Sequence, residues 1–163
     1  MTVIDQFQDH IIKKGAEATG SPEDDEEVER LIHGIVSMCH NAAMEFMKTN
    51  QNSAAGRILH QCYDFLDSRV PHQVATVVIR KGIMHSVLNN LAQHANMNAD
   101  MNLSIEYLEK ALEAGENPET DQNLLPLAET YLNLANGYSF LNKFEQSLHY
   151  STKALKFAGR RCN

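Results

Sequence analysis

The sequence is poor in the features that mark membrane and secreted proteins. Its 163 residues include no Trp and four Pro, and aromatic residues make up 7%. No apolar run approaches the ~20 residues that a helix needs to span a bilayer. The N-terminal residues 1–6 lack the charged and then apolar layout of a secretion signal. We therefore expect no membrane association and predict a cytoplasmic location.

Cysteine usage and charge exclude further classes. Cys39, Cys62 and Cys162 are an odd number without close spacing, which argues against a disulfide framework. The formal net charge of −7 disfavours nucleic acid and anionic membrane surfaces as general partners, because both carry the same sign.

The sequence offers little for catalysis or metal binding. His40 follows Cys39, and His60 precedes Cys62 by two positions, but no Cys-x-x-Cys or His-x-x-x-His pair is present. Cys39 and Cys62 fall at positions that pack against each other, which indicates two buried thiols acting as small apolar groups. The glycines stand singly and form no phosphate-binding loop. We expect no catalytic, metal or cofactor residues; an enzyme or metal-binding protein is a minor alternative.

What the sequence does contain is helical periodicity. Apolar residues recur at intervals of three and four from residue 28 onward, and no segment alternates with a period of two. Ser21 and Pro22 with the acids that follow are typical of a helix start. The helical runs cover about 28–46, 55–66, 74–95, 103–114, 127–141 and 144–157.

Short turns rich in Asn and Asp separate the runs in pairs, so the two helices of each pair are predicted to lie antiparallel. The expected organisation is an N-terminal amphipathic segment over 1–20, three helical hairpins at about 21–69, 72–115 and 120–158, and a tail over 159–163.

The third hairpin resembles the tetratricopeptide repeat. It carries that family's pattern of large, small and aromatic residues on its first helix, and of aromatic and small residues on its second. The positions are Tyr131, Leu134, Ala135 and Tyr138, followed by Phe144, Ser147, Tyr150, Ala154 and Leu155. The same frame fits the second hairpin, and fits the first more weakly.

Close helix crossings require small side chains, and the three copies meet this requirement at nine equivalent positions. Asn41, Asn90 and Asn133 also share one position, at spacings of 49 and 43 residues against the usual 34. The surplus predicts that the first helices of hairpins two and three begin early. The nine small residues are Ala43, Ala55, Cys62, Ala92, Ser104, Ala111, Ala135, Ser147 and Ala154.

The resemblance implies an all-α, right-handed superhelix that binds another protein, a peptide or a helix, in a concave groove formed by the first helices. The lengthened spacing is similar to that of kinesin light chains. Its groove positions correspond here to His40, Asn41, Met44 and Lys48, to Asn89, Asn90, Gln93 and Met97, and to Asn133, Asn136 and Phe140.

Two interpretations of the repeated Asn remain open. A primary amide donates and accepts hydrogen bonds, so a ladder of Asn would suit a peptide backbone; alternatively, each Asn braces its own hairpin. The acidic C-termini of heat-shock chaperones are disfavoured as ligands, because only Lys48 supplies a cation and Glu129 stands where another would be needed.

The ends of the array raise further expectations. Ile4, Phe7 and Ile11 predict an amphipathic helix over 3–14, which either folds back as a cap or inserts into a neighbour. At the other end, Leu148 with Phe140 or Phe157 should lie on an uncovered face. A longer chain, end-on docking to a partner and self-association would each cover that face. The alternative to an adaptor is thus a structural subunit of a cytoskeletal or ciliary assembly.

Overall fold

Every regular element that the computed structural model describes is an α-helix; the described residues are 3–18, 21–80, 82–115 and 124–159. This confirms the all-α, repeat-like fold class expected from the apolar periodicity. The helices are α1 Val3–Glu17, α2 Pro22–Lys48, α3 Asn52–Ser68, α4 His72–Arg80, α5 Ile83–Met97, α6 Met101–Gly115, α7 Leu124–Phe140 and α8 Phe144–Gly159.

The chain forms two compact units that divide between Val87 and Leu88, inside α5. The first unit holds α1 to α4 and the start of α5. Its core includes Ile32, Ile35 and Phe65, which are fully buried. The second unit holds the rest of α5 with α6, α7 and α8.

The start of α2 is confirmed as a capped helix end. The Ser21 hydroxyl oxygen accepts a hydrogen bond from the Asp24 backbone N–H at 3.2 Å. Pro22 occupies the first turn, where its missing N–H would have had no helical partner. The acids of the first turn also favour the positive end of the helix dipole.

Helix α1 folds back on the first unit rather than extending away from it. Ile11 is fully buried in the same core as Val74 of α4, and Phe7 is half-buried against that core. Gly15 permits this approach, because a Cβ there would overlap the Val74 side chain. Of the two roles predicted for residues 3–14, the structure shows the fold-back.

The prediction of a single helix over 74–95 was wrong. The chain instead forms α4 and α5, and Gly82 between them has φ of +63°, a left-handed conformation that ends a helix and that glycine adopts without steric cost. Helix α5 begins at Ile83. The extra residues in the 49-residue spacing therefore contribute to a separate helix, α4, rather than lengthening the first helix of the second hairpin.

The turns inside the three hairpins share one backbone geometry. In the first, Asn50 has φ of +58°, and the N–H groups of Asn50 and Gln51 donate to the carbonyls of Met47 and Phe46. This is the Schellman arrangement, in which a left-handed residue closes the helix C-terminus. Ala99 and Asn142 are the equivalent residues in the second and third turns, with φ of +61° and +58° and the same pair of bonds.

The left-handed residues repeat at 49 and 43 positions, which is the spacing of Asn41, Asn90 and Asn133. The small residues at predicted close crossings fit the same frame. Eight of the nine are buried, and Ser147 is half-buried. The equivalent positions assigned to the three repeats from side-chain size thus agree with the positions of the left-handed residues in the three turns.

Candidate partner-binding surfaces

A buried polar contact positions α5 beside α7 in the second unit. Thr130 of α7 is completely buried, and its hydroxyl lies 3.1 Å from Asn89 Oδ1 and 2.9 Å from the Pro126 carbonyl. Asn89 is half-buried. Its amide therefore braces the first helices of two consecutive hairpins, and its place in the groove stays a prediction.

The polar groove positions beyond this brace are accessible. Asn90 on α5 is half-buried and Gln93 is exposed, while Asn133 and Asn136 on α7 are both exposed. The side-chain amides of Asn90 and Asn133 have no hydrogen-bond partner among the described residues. Their donors and acceptors are free to meet a ligand.

Two apolar side chains accompany these amides on the same two helices. Met97 near the end of α5 is 53% exposed, and Phe140 at the end of α7 is 71% exposed. A flexible thioether adapts to varied apolar partners, and an aromatic ring offers a large contact area. The second unit therefore presents amides and apolar groups of the kind that peptide binding uses.

The first unit presents its own predicted residues separately, on α2. Asn41 is exposed, whereas His40 and Met44 are half-buried. The Asn41 amide has no hydrogen-bond partner within the described ranges. Lys48 is exposed, but its Nζ lies 2.7 Å from Glu45 Oε1, so the one cation identified for carboxylate recognition already has an acidic neighbour.

Helix α8 carries an exposed apolar face. Phe144, Leu148 and Leu155 are 66%, 70% and 75% exposed. Leu148 was predicted to lie on an uncovered face together with Phe140 or Phe157. Of these two, Phe140 is exposed, whereas Phe157 is half-buried and its ring centroid lies 5.2 Å from that of Tyr131. Phe144 and Leu155, which match apolar positions of the repeat pattern, are exposed on the same helix.

An aromatic and acidic cluster links α6, α7 and α8. The Tyr138 hydroxyl donates to Glu109 Oε1 at 2.6 Å, and the rings of Tyr138 and Tyr150 stack with centroids 5.4 Å apart. Lys153 Nζ lies 5.3 Å from the Tyr131 ring centre, within cation–π range. Burial and then the Glu109 hydrogen bond raise the pKa of Tyr138 above its ordinary value. The cluster joins the second hairpin to the third, and neither the apolar periodicity nor the repeat pattern predicted it.

Cys39 and Cys62 are buried neighbours, as predicted from their repeat positions. The hydrogen bond that Cys62 S–H donates to Cys39, together with burial, raises the pKa of Cys62 well above its usual range. A thiol held in the protonated form is a poor nucleophile and a poor metal ligand. Among the residues that the structure describes, no three His, Cys, Asp or Glu side chains are grouped to hold a metal ion.

The comparison with protein families agrees with the structure. The fold and the repeated turns define a helical-repeat protein. Residues 84–159 match the family model of the tetratricopeptide repeat. The search of curated proteins gave no significant match. In the described part of the chain, no helix combines the length and the apolar character needed to cross a bilayer.

Proposed function

We propose that this chain is a protein-interaction module of the cytoplasm that holds a peptide or a helix of a partner protein. The match of residues 84–159 to the tetratricopeptide repeat family supports this proposal, because that family generally binds other proteins. The family is generally non-enzymatic, and the described residues contain no grouped metal-binding side chains.

The observation that carries the proposal is the pair of accessible amides in the second unit. Asn90 and Asn133 occupy the same position of successive repeats, and neither amide bonds to any described residue. A primary amide matches the N–H and C=O of an extended peptide backbone, whatever side chains the peptide carries. The neighbouring Asn89 already braces Thr130, so bracing in this unit does not require Asn90.

Met97 and Phe140 add selectivity to this backbone recognition. Both are more than half exposed. Covering such side chains removes apolar area from water at roughly 25 cal/mol per Å². The expected ligand therefore carries apolar side chains and does not depend on an acidic terminus, because Lys48 has Glu45 beside it.

The decisive experiment selects peptides from a displayed random library on the chain and measures the binding of a fluorescent copy of the best peptide. Replacing both Asn90 and Asn133 with Ala is expected to weaken binding by roughly tenfold or more, because two hydrogen-bonding groups are lost. Asn102→Ala is the matched control, since Asn102 is exposed on α6, the second helix of its hairpin. Equal affinity of the double variant and the control would contradict the proposal.

Asn41 on α2 requires a separate test, because it belongs to the first unit. If the same peptide also contacts α2, Asn41→Ala weakens binding further. If the peptide contacts only the second unit, the affinity does not change. Either result leaves the role of Asn90 and Asn133 to be decided by their own variant.

A second candidate function is a subunit of a larger assembly, cytoskeletal or ciliary in type. The exposed apolar face of α8 favours it, because Phe144, Leu148 and Leu155 are all at least 66% exposed. A cargo-binding role like that of kinesin light chains would fit the adaptor proposal, and its support is the similar repeat spacing. The peptide-binding experiment tests the adaptor function separately from the subunit function, because Asn90 and Asn133 lie on α5 and α7 and not on α8.

A further inference from the structure

The exposed face of α8 carries a stripe of large apolar side chains, which Ser151 interrupts between Leu148 and Leu155. At 100° per residue, Phe144, Leu148 and Leu155 project within about 40° of one another. All three are at least 66% exposed. Three large apolar side chains in line on a helix surface are typical of a helix that packs against another helix.

The charges beside this stripe are arranged so that the pattern complements itself. Glu145 near the start of α8 and Lys156 near its end project on the same side of the stripe, within about 20° of each other. Both are exposed, and neither forms an ion pair within the described residues. An acid at one end and a base at the other are brought together when a second α8 lies antiparallel.

We propose that a second copy of this chain binds here, with the two α8 helices packed antiparallel about a two-fold axis. With the axis between Ser151 and Thr152, Leu148 lies opposite Leu155 of the partner subunit. The small side chains of Ser151 and Thr152 then meet at the centre, where the helices must approach closely.

The same register places Phe144 opposite Gly159 of the partner subunit. Among the described residues, no heavy atom lies within 4 Å of a Cβ built at Gly159, so the described part of the chain leaves room for a ring there. Glu145 and Lys156 of the partner subunit come within about 3 Å of the same level along the helix axis, a gap that their long side chains span. The two-fold axis generates this ion pair twice.

A parallel arrangement would not use these charges. In a parallel pair the flank bearing Glu145 faces the opposite flank of the neighbour, which here carries Ser147, Ser151 and Ala158. The charge pattern therefore selects the antiparallel, isologous pair, which is the commonest symmetry of protein dimers. One helix face is smaller than a standard interface of roughly 800 Å² per partner, so the dimer is weak and dissociates on dilution.

Sedimentation equilibrium of the full chain over a range of concentrations tests the proposal. The wild-type chain is expected to show a monomer–dimer equilibrium. Leu148→Asp is expected to weaken the dimer by at least about tenfold, because it places a charge opposite the apolar side chain of Leu155 of the partner subunit. Gln146→Asp, an equally acidic change at an exposed position on the opposite side of α8, is the control and leaves the dimer intact.

Charge exchange tests the orientation without depending on the apolar residues. Glu145→Lys brings like charges together and weakens the dimer, and combining it with Lys156→Glu restores association. A chain that stays monomeric throughout would overturn the proposal and assign the face to another segment or protein. The proposal would also be overturned if Leu148→Asp left the dimer as stable as in wild type. Failure of the Glu145→Lys and Lys156→Glu combination to restore association would overturn it too. None of these outcomes bears on peptide binding by α5 and α7.

Discussion

The hydroxyl of Tyr138 on α7 donates a hydrogen bond of 2.6 Å to the carboxylate of Glu109 on α6. The two residues are 29 positions apart and belong to consecutive hairpins, so this bond connects two repeats. Tyr138 is half-buried, and its ring stacks on Tyr150 of α8 at an interplanar angle of 5°. One ring thus contacts both neighbouring helices of the second unit.

Tyr138→Phe should lower the free energy of unfolding by about 1 kcal/mol, because it removes a charge-assisted hydrogen bond that is partly open to water. Urea unfolding of this variant, of Glu109→Gln and of the double variant measures the coupling between the two side chains. We expect the double variant to lose less than the sum of the single losses. Strict additivity would show that the bond contributes nothing to stability.

Ala99 occupies the left-handed position that Asn fills in the other two hairpin turns. A side chain with a Cβ is disfavoured there by about 1 kcal/mol or more, and Asn tolerates the conformation better than Ala does. Ala99→Asn and Ala99→Gly are therefore expected to raise the melting temperature. Asn142→Ala is the reverse test and should lower it; opposite signs for these variants would refute the argument.

Gln8 of α1 is 2% exposed, and its Nε2 finds no hydrogen-bond acceptor within the described residues. A buried, unsatisfied polar group costs about 1–3 kcal/mol. Gln8→Met keeps the length of the side chain and removes the unpaired donor, so thermal unfolding should show a more stable protein. Gln6→Met, at an exposed position of the same helix, should change little. A loss of stability in Gln8→Met would indicate that the amide has a partner.

Burial lowers the pKa of His85 below its usual 6.5. The folded state therefore binds the proton more weakly than the unfolded state, and stability rises with pH. This contribution is complete above pH 6.5 and is lost as the pH falls from there through the folded-state pKa. Unfolding free energies measured at about pH 7.5 and 5.5 should differ less in His85→Phe than in wild type. His10→Phe, at an exposed position of α1, should keep the wild-type difference.

Side-chain size and apolar spacing sufficed to predict most of the helices and the repeat frame. Ala43, Ala92 and Ala135 share one position because close helix crossings exclude larger groups, and that constraint is local enough to be visible in a single sequence. Asn50 and Asn142 lie in the short Asn- and Asp-rich turns that were predicted between paired helices for a similar reason.

Features that depend on distant parts of the chain were not predictable in this way. Gly82 lies in an apolar pattern that looks continuous, and its φ of +63° is apparent only from the structure. The approach of Gly15 to Val74 joins residues 59 positions apart. The hydrogen bond between Thr130 and Asn89 was not predicted, because nothing in the sequence showed that Thr130 would be buried beside Asn89. Each of these depends on tertiary packing, which periodicity does not encode.

The matching turns at Asn50, Ala99 and Asn142 stand in hairpins that follow one another at unequal distances. The number of residues between successive hairpins therefore differs within the chain, while the turn inside each hairpin has the same geometry. A pair of helices with its turn is then the smallest piece that could be transplanted intact into another repeat protein. Exchanging only one helix of a pair would separate the donors from the acceptors of the hydrogen bonds that form the turn.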